Sequence, residues 1–208
     1  MKDVKEMHLL GKLVKVDECP VLFKYSPAED WQQHFEVMDG NWKLENGWLV
    51  GWEPGNKGGI LFTKKTYDNI IFSFTAKTVL PATRDVNALF SAHWDKENDT
   101  LGNAYVVGLN GWWEGKSGIE RNPENLTRSL TGLYKYTPGA EVRITTGVIN
   151  GHVFLYADGE LVSELVDPDY ISGGHAGFSP YSTMLAIKDI EIREAVYSDF
   201  LQSYTPEF

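Results

Sequence analysis

Cysteine is nearly absent. Cys19 stands alone in 208 residues, so no internal disulfide can staple the chain, and no zinc-type Cys/His spacing accompanies it. At this length a core needs neither staple nor metal, and Cys19 reads as a small apolar filler beside a strand. Long hydrophobic runs are missing too: no window approaches the roughly 18 apolar residues of a membrane span. The opening "MKDVKEMHLLGKLVKVDE" alternates charge with short apolar pieces and holds no signal-peptide core, which sets the expectation of a cytoplasmic protein. Positive charge is scarce: 19 Lys and Arg face 29 Asp and Glu, a net charge of −10 with no basic stripe. That balance excludes nucleic acid and anionic membrane as partners and leaves a neutral ligand such as a small carbohydrate unopposed.

Helical periodicity is also scarce, confined to "SPAEDWQQHFEV" and the tail "YSDFLQSY". What is present is a succession of short β-type runs cut by turn residues. "WKLENGWLVGW" reads as two strands around Asn46-Gly47, and the same hairpin grammar returns at Asn150-Gly151 and Asp158-Gly159. In "NIIFSFTAKTV", Ile70, Phe72, Phe74 and Ala76 share one face while Ser73, Thr75 and Lys77 share the other, the mark of a strand with one buried face. In "MLAIKDIEIREA" the apolar phase slips between Ile187 and Ile190, which one extra residue near Lys188-Asp189 explains as a β-bulge. No linker, low-complexity segment or fixed-period repeat interrupts the chain. The expectation is one all-β domain over 1–208, an antiparallel β-sandwich with very little helix, its core from about 19 to 195 between terminal extensions.

The segments "DGNWKLENGWLVG", "GGILFTKKTYDNIIFSFTAK", "HVFLYADGELVSELVDPDY" and "GGHAGFSPYSTMLAIKDIEIRE", in that order, resemble the concanavalin A-like lectin/glucanase superfamily. The layout is similar to its 3-keto-glycoside hydrolase or lyase-type domains and to small galectin-like bacterial proteins linked to the use of pectin-derived sugars. The resemblance implies a jelly-roll sandwich and a carbohydrate ligand. It carries over no catalytic residue: the Glu-x-Asp-x-x-Glu strand of the retaining glucanases is absent, and so is the galectin sugar-binding signature. In "WDKEND", Asp95, Glu97 and Asp99 alternate, but the segment reads as a solvated turn before it reads as a glycosidase pair.

Candidate chemistry comes from one strand and the loop that follows. In "VNALFSAHWD", alternation assigns Val86, Ala88, Phe90, Ala92 and Trp94 to the core. Asn87, Leu89, Ser91, His93 and Asp95 then share the opposite face. There His93 is the candidate acid–base catalyst and Asp95 the group that orients it, against the equal alternative of a self-satisfied, solvent-facing pair. In "NAYVVGLN", the small residues Ala104 and Gly108 keep a surface clear, either for a packed neighbour or for a ligand, with Tyr105 and Asn110 as candidate contacts in the second case. The strand leads into "GWWEGKSGIER". One of Trp112 and Trp113 is expected to anchor the loop in the core while the other stacks on a sugar ring; Glu114, Glu120 and Arg121 offer hydroxyl partners. Trp48 and Trp52 read as core or edge filler, His175 as a turn residue and His152 as exposed. "DPDY" at 167–170 is too short a pattern to specify calcium. No cofactor is required by the sequence, and a divalent metal is left undetermined.

Three functions remain open. One is a lyase or hydrolase acting on a small glycoside or oligosaccharide in a concave sheet groove. Another is a non-catalytic, lectin-like sugar-binding module. The third is a subunit whose site is completed by a partner chain, a homodimer included.

Overall fold

The computed structural model describes residues 2–9, 11–52, 59–123 and 127–200; the end of the "YSDFLQSY" tail lies outside them. Two antiparallel sheets carry the described chain. The first runs, edge to edge, through Arg128–Thr131, Ser117–Asn122, Ala104–Leu109, Val86–Ala92, His175–Phe178, Ile60–Thr66 and Phe35–Asp39. The second runs through Glu160–Val166, His152–Ala157, Val142–Ile149, Ile70–Thr78, Met184–Glu194, Trp48–Trp52 and Asn41–Glu45, with Val21–Tyr25 pairing onto Met184–Glu194. Among the described residues the one α-helical turn is Trp31–His34.

The turns form where local chemistry demands them. Asn46 and Gly47 take φ of 51° and 75°, Asn150 and Gly151 take 49° and 81°, and Asp158 and Gly159 take 49° and 85°. These are the paired positive values that tighten a two-residue hairpin in the sense of the strand twist. The phase slip in the last long strand is a bulge between Lys188 and Glu191, with Asp189 at φ 51°.

The core lies between the sheets. Phe72 and Phe74 from one face Phe178 from the other at centroid distances of 5.3 and 5.0 Å, and Phe90, Leu109, Ile119, Val153 and Ile187 complete it. Each such side chain contributes about 1.5–3 kcal/mol by leaving water.

The outer face of the second sheet is not the open polar surface that alternation implies. A hairpin of Glu6–Leu9 and Lys12–Lys15 lies over it, placing Met7, Leu9 and Val14 against Ile71, Ile149, Phe154 and Tyr156. Cys19 fills this second cluster, and burial pushes its thiol pKa up. Ser73 and Thr75 are buried as well, and Ser73 meets Thr145 hydroxyl to hydroxyl at 3.1 Å. His152, expected exposed, is buried, its Nε2 2.8 Å from Glu164 Oε2 on the neighbouring strand. The two edges of the sandwich close differently. Ser163 Oγ reaches Ser129 O and Oγ at 2.9 and 2.8 Å on one side. On the other, Phe23, Tyr25, His34 and Phe35 form a ring cluster.

Candidate functional site

Ser91 decides which residues reach the outer face of the first sheet. Up to Phe90 the strand alternates as read, with Val86, Ala88 and Phe90 in the core. Ser91 then takes φ 47°, and pairing with the strand His175–Phe178 is irregular between His175 and Gly177. The extra residue reverses the phase. Ala92 and Trp94, expected in the core, pack outside it with Ile60, Phe62, Leu89 and Ala104. Ser91 itself is buried, and its hydroxyl has no partner.

His93 consequently leaves the expected face. It is exposed at the base of a hairpin whose strands are Trp94–Asp95 and Thr100–Leu101, bonded through its main chain to Asn103 O and Gly102 N at 2.9 Å each. Asp95 caps that hairpin. Its Oδ1 accepts from the N–H groups of Glu97 and Asn98 at 3.0 and 3.1 Å, and its Oδ2 from Asn98 Nδ2 at 2.7 Å. These bonds, led by those from Asn98, hold its carboxyl below the usual range. The structure does not bring His93 and Asp95 together over the groove: His93 is exposed and absent from its lining, and the turn consumes the Asp95 carboxylate.

What lies on that face is a groove of about 710 Å³. Asn87, Val106 and Ile60 form its floor; Trp94, Asp99 and Leu101 of the hairpin form one wall; Asp85, Gly111, Trp112 and Tyr181 form the other. Glu120 and Asn122 flank it on one side and Asp39 on the other. Asn122 Nδ2 pins the hairpin base by donating to Leu101 O and Gly102 O at 3.1 and 2.7 Å. Trp94 Nε1 donates to Asp99 Oδ1 at 3.3 Å.

Trp112 stands half-buried in the groove wall, donating through Nε1 to Glu120 Oε2 at 2.8 Å; Arg128 Nε holds the same oxygen at 2.9 Å. Trp113 does not anchor the loop. Glu114 and Gly115 take φ of 58° and 67°, Lys116 N bonds back to Trp113 O, and this tight turn ejects the second indole to 53% exposure between Lys116 and Arg128. Glu114 is exposed on the same turn, 3.6 Å from Lys116, and outside the groove. Asn110 is a loop brace: at φ 56° its Nδ2 donates to Thr83 O at 2.8 Å.

Tyr105 and Arg121 belong to the opposite side of the sheet. Tyr105 is fully buried in the core and donates to Asp167 Oδ2 at 2.7 Å. Arg121 Nη1 approaches the same carboxylate oxygen at 3.1 Å and Asp169 O at 2.7 Å. Burial first, and Asp167 second, push the Tyr105 hydroxyl pKa up. Alternation explains the split, since Glu120 faces the groove and its neighbour Arg121 cannot. The network engages the first carboxylate of "DPDY", and among the described residues no group of His, Cys, Asp and Glu is arranged to hold a metal ion.

The most unusual groove residues are two that sequence reasoning did not select. Asp85 sits at φ 75° just before the strand and is 3% exposed. Its Oδ1 accepts from Asn87 Nδ2 at 2.8 Å and its Oδ2 from Tyr181 N at 2.6 Å. Burial pushes its pKa up to about 7, against the opposing pull of those bonds and of Arg84. Asn87 is 6% exposed, and its Oδ1 has no hydrogen-bond partner. Gly108 and Gly111 leave room for the pair: a Cβ on Gly108 would strike Asn87 Oδ1, and one on Gly111 would lie 2.7 Å from Asp85 Oδ1. The surface read as kept clear at Ala104 and Gly108 is filled: Ala104 is buried in the outer cluster with Trp94 and Leu101 packed against it. At Gly108 the space holds the Asn87 amide.

No protein-family model matches the chain, and no curated protein sequence matches it. Solved structures do share its fold. A Bacillus subtilis protein of unknown function with a galectin-like fold superposes with a TM-score of 0.70 at 13% identity, covering 86% of this chain and 97% of that one. The carbohydrate binding module CBM66 from Bacillus subtilis gives 0.60 at 13% identity, covering 77% and 95%. A Bacillus licheniformis β-glucanase gives 0.60 at 10% identity, covering 85% and 98%. The architecture is the concanavalin A-like sandwich.

Proposed function

We propose that the groove binds a short carbohydrate, in the manner of a lectin-like module. The observation that carries this reading is that two indoles, Trp94 and Trp112, line one groove together mainly with amides, carboxylates and hydroxyls. Pyranose rings present C–H faces to indole and hydroxyls to exactly such acceptors, and a groove of this volume lies within the range of small-molecule sites. Neighbours that bind or cleave carbohydrate on the same architecture support the reading by analogy of fold. Titration calorimetry against a panel of neutral oligosaccharides tests it. Binding is expected, with a loss of about tenfold or more, over 1.4 kcal/mol, in Trp94→Ala and in Trp112→Ala. Unchanged affinity in both variants, or no binding across the panel, overturns it.

Asp85 favours a second reading, a hydrolase or lyase. A buried carboxyl that keeps its proton near neutral pH is the form a general acid takes. Sugar release that falls by about 10²–10⁴-fold in Asp85→Asn, while binding persists, distinguishes this reading from the first. His93 is not among the residues that line the groove, so neither reading is built on it.

A further inference from the structure

We infer that the groove selects against uronic acids and takes neutral or amino sugars, an inference that rests on the carbohydrate reading above. Three carboxylates line it, Asp39, Asp99 and Glu120, beside the buried Asp85 carboxyl, and among its described lining residues there is no lysine, arginine or histidine. Among the described residues only Glu120 has a cation in contact, Arg128, which approaches at 2.9 Å. Asp39 takes a hydrogen bond from the backbone N–H of Gly40, and Asp99 takes one from Trp94 Nε1; neither bond neutralises the charge.

Hydrogen-bond chemistry adds to the charge: Asp39, Asp99 and Glu120 accept and cannot donate, so a ligand hydroxyl or ammonium can bond to them whereas a ligand carboxylate, itself an acceptor, cannot. A pectin-type polyuronate carries the wrong sign on every ring.

The test compares neutral glucan, mannan and galactan tetrasaccharides with their C6-oxidised uronate counterparts, which keep stereochemistry and add charge. At low ionic strength each uronate form is expected to bind about tenfold or more weakly than its neutral partner, as like charges several ångström apart at a protein surface require. Raising salt to about 1 M, where the screening length falls to about 3 Å, should shrink that gap. The rim variant Asp39→Asn/Asp99→Asn should shrink it at low salt; if that variant melts early, the salt titration of the unmodified protein decides alone. Uronates binding as well as or better than neutral partners would overturn the charge selection and leave the carbohydrate reading standing. Binding by neither series would overturn both.

Discussion

At the scale of single residues, the two adjacent tryptophans separate by environment. Trp112 has a wall position and a bond to Glu120, whereas Trp113 is 53% exposed. Trp113→Ala is therefore expected to leave both sugar affinity and melting temperature nearly unchanged, within about 0.5 kcal/mol, while Trp112→Ala weakens binding; calorimetry on the pair checks this. Asp85 carries a pH signature. Its carboxyl titrates at 3.8 when unperturbed and at about 7 in the fold, so the folded state holds the proton that the unfolded chain releases in between. The stability it contributes is full below the unfolded value and drains away as pH rises towards the folded one. Asp85→Asn removes that loss: the amide oxygen still accepts from Tyr181 N, its NH₂ can donate to a flipped Asn87, and asparagine tolerates the positive φ. The variant should melt above the unmodified protein at pH 8 and converge with it near pH 4, read by thermal denaturation at both values. A variant less stable at pH 8 would contradict the account of Asp85 as a strained, buried acid.

At the scale of elements, the hairpins were legible because Asn-Gly and Asp-Gly fix their own backbone, and the bulge near Asp189 was legible because it displaces an apolar phase. The reversal at Ser91 was not. Nothing in "VNALFSAHWD" marks it, since it arises from register with His175–Phe178, far along the chain. That one conformational change moved Trp94 into the candidate site and His93 out of it. Asp85 went unseen for a related reason, as its burial depends on the loop at Tyr181 and on the space left by Gly111. The terminal hairpin was also underread. A segment resembling a loose extension supplies Met7, 1% exposed, to a real core cluster. Met7→Ala should consequently cost about 2–5 kcal/mol, the toll of a true core position, measured by urea unfolding. A cost near zero would mean that the hairpin merely rests on the sheet.

At the scale of the whole molecule, the antiparallel sandwich was legible from patterning, whereas the site had to wait for tertiary structure. The net charge of −10 acts on the fold as a whole. Carboxylates outnumber their cationic partners, so mutual repulsion opposes compaction, and screening relieves it. Raising sodium chloride from about 0.01 to 0.15 M, which shortens the Debye length from about 30 to 8 Å, should raise the melting temperature by a few degrees; a fall would indicate that the ion pairs outweigh the repulsion.

The hairpin from Trp94 to Leu101 has a consequence for how such a protein can change. The floor beneath it is made of strands that also build the core, so every alteration there is felt by the fold. The hairpin touches that floor through Trp94 and Leu101, is pinned at its base by Asn122, and is otherwise solvent-exposed turn. It is thus a replaceable part. Grafting a hairpin of different length or tip onto the same two anchors would exchange one wall of the groove while leaving the foundation intact, giving evolution, or an engineer, a place to alter ligand preference without rebuilding the molecule.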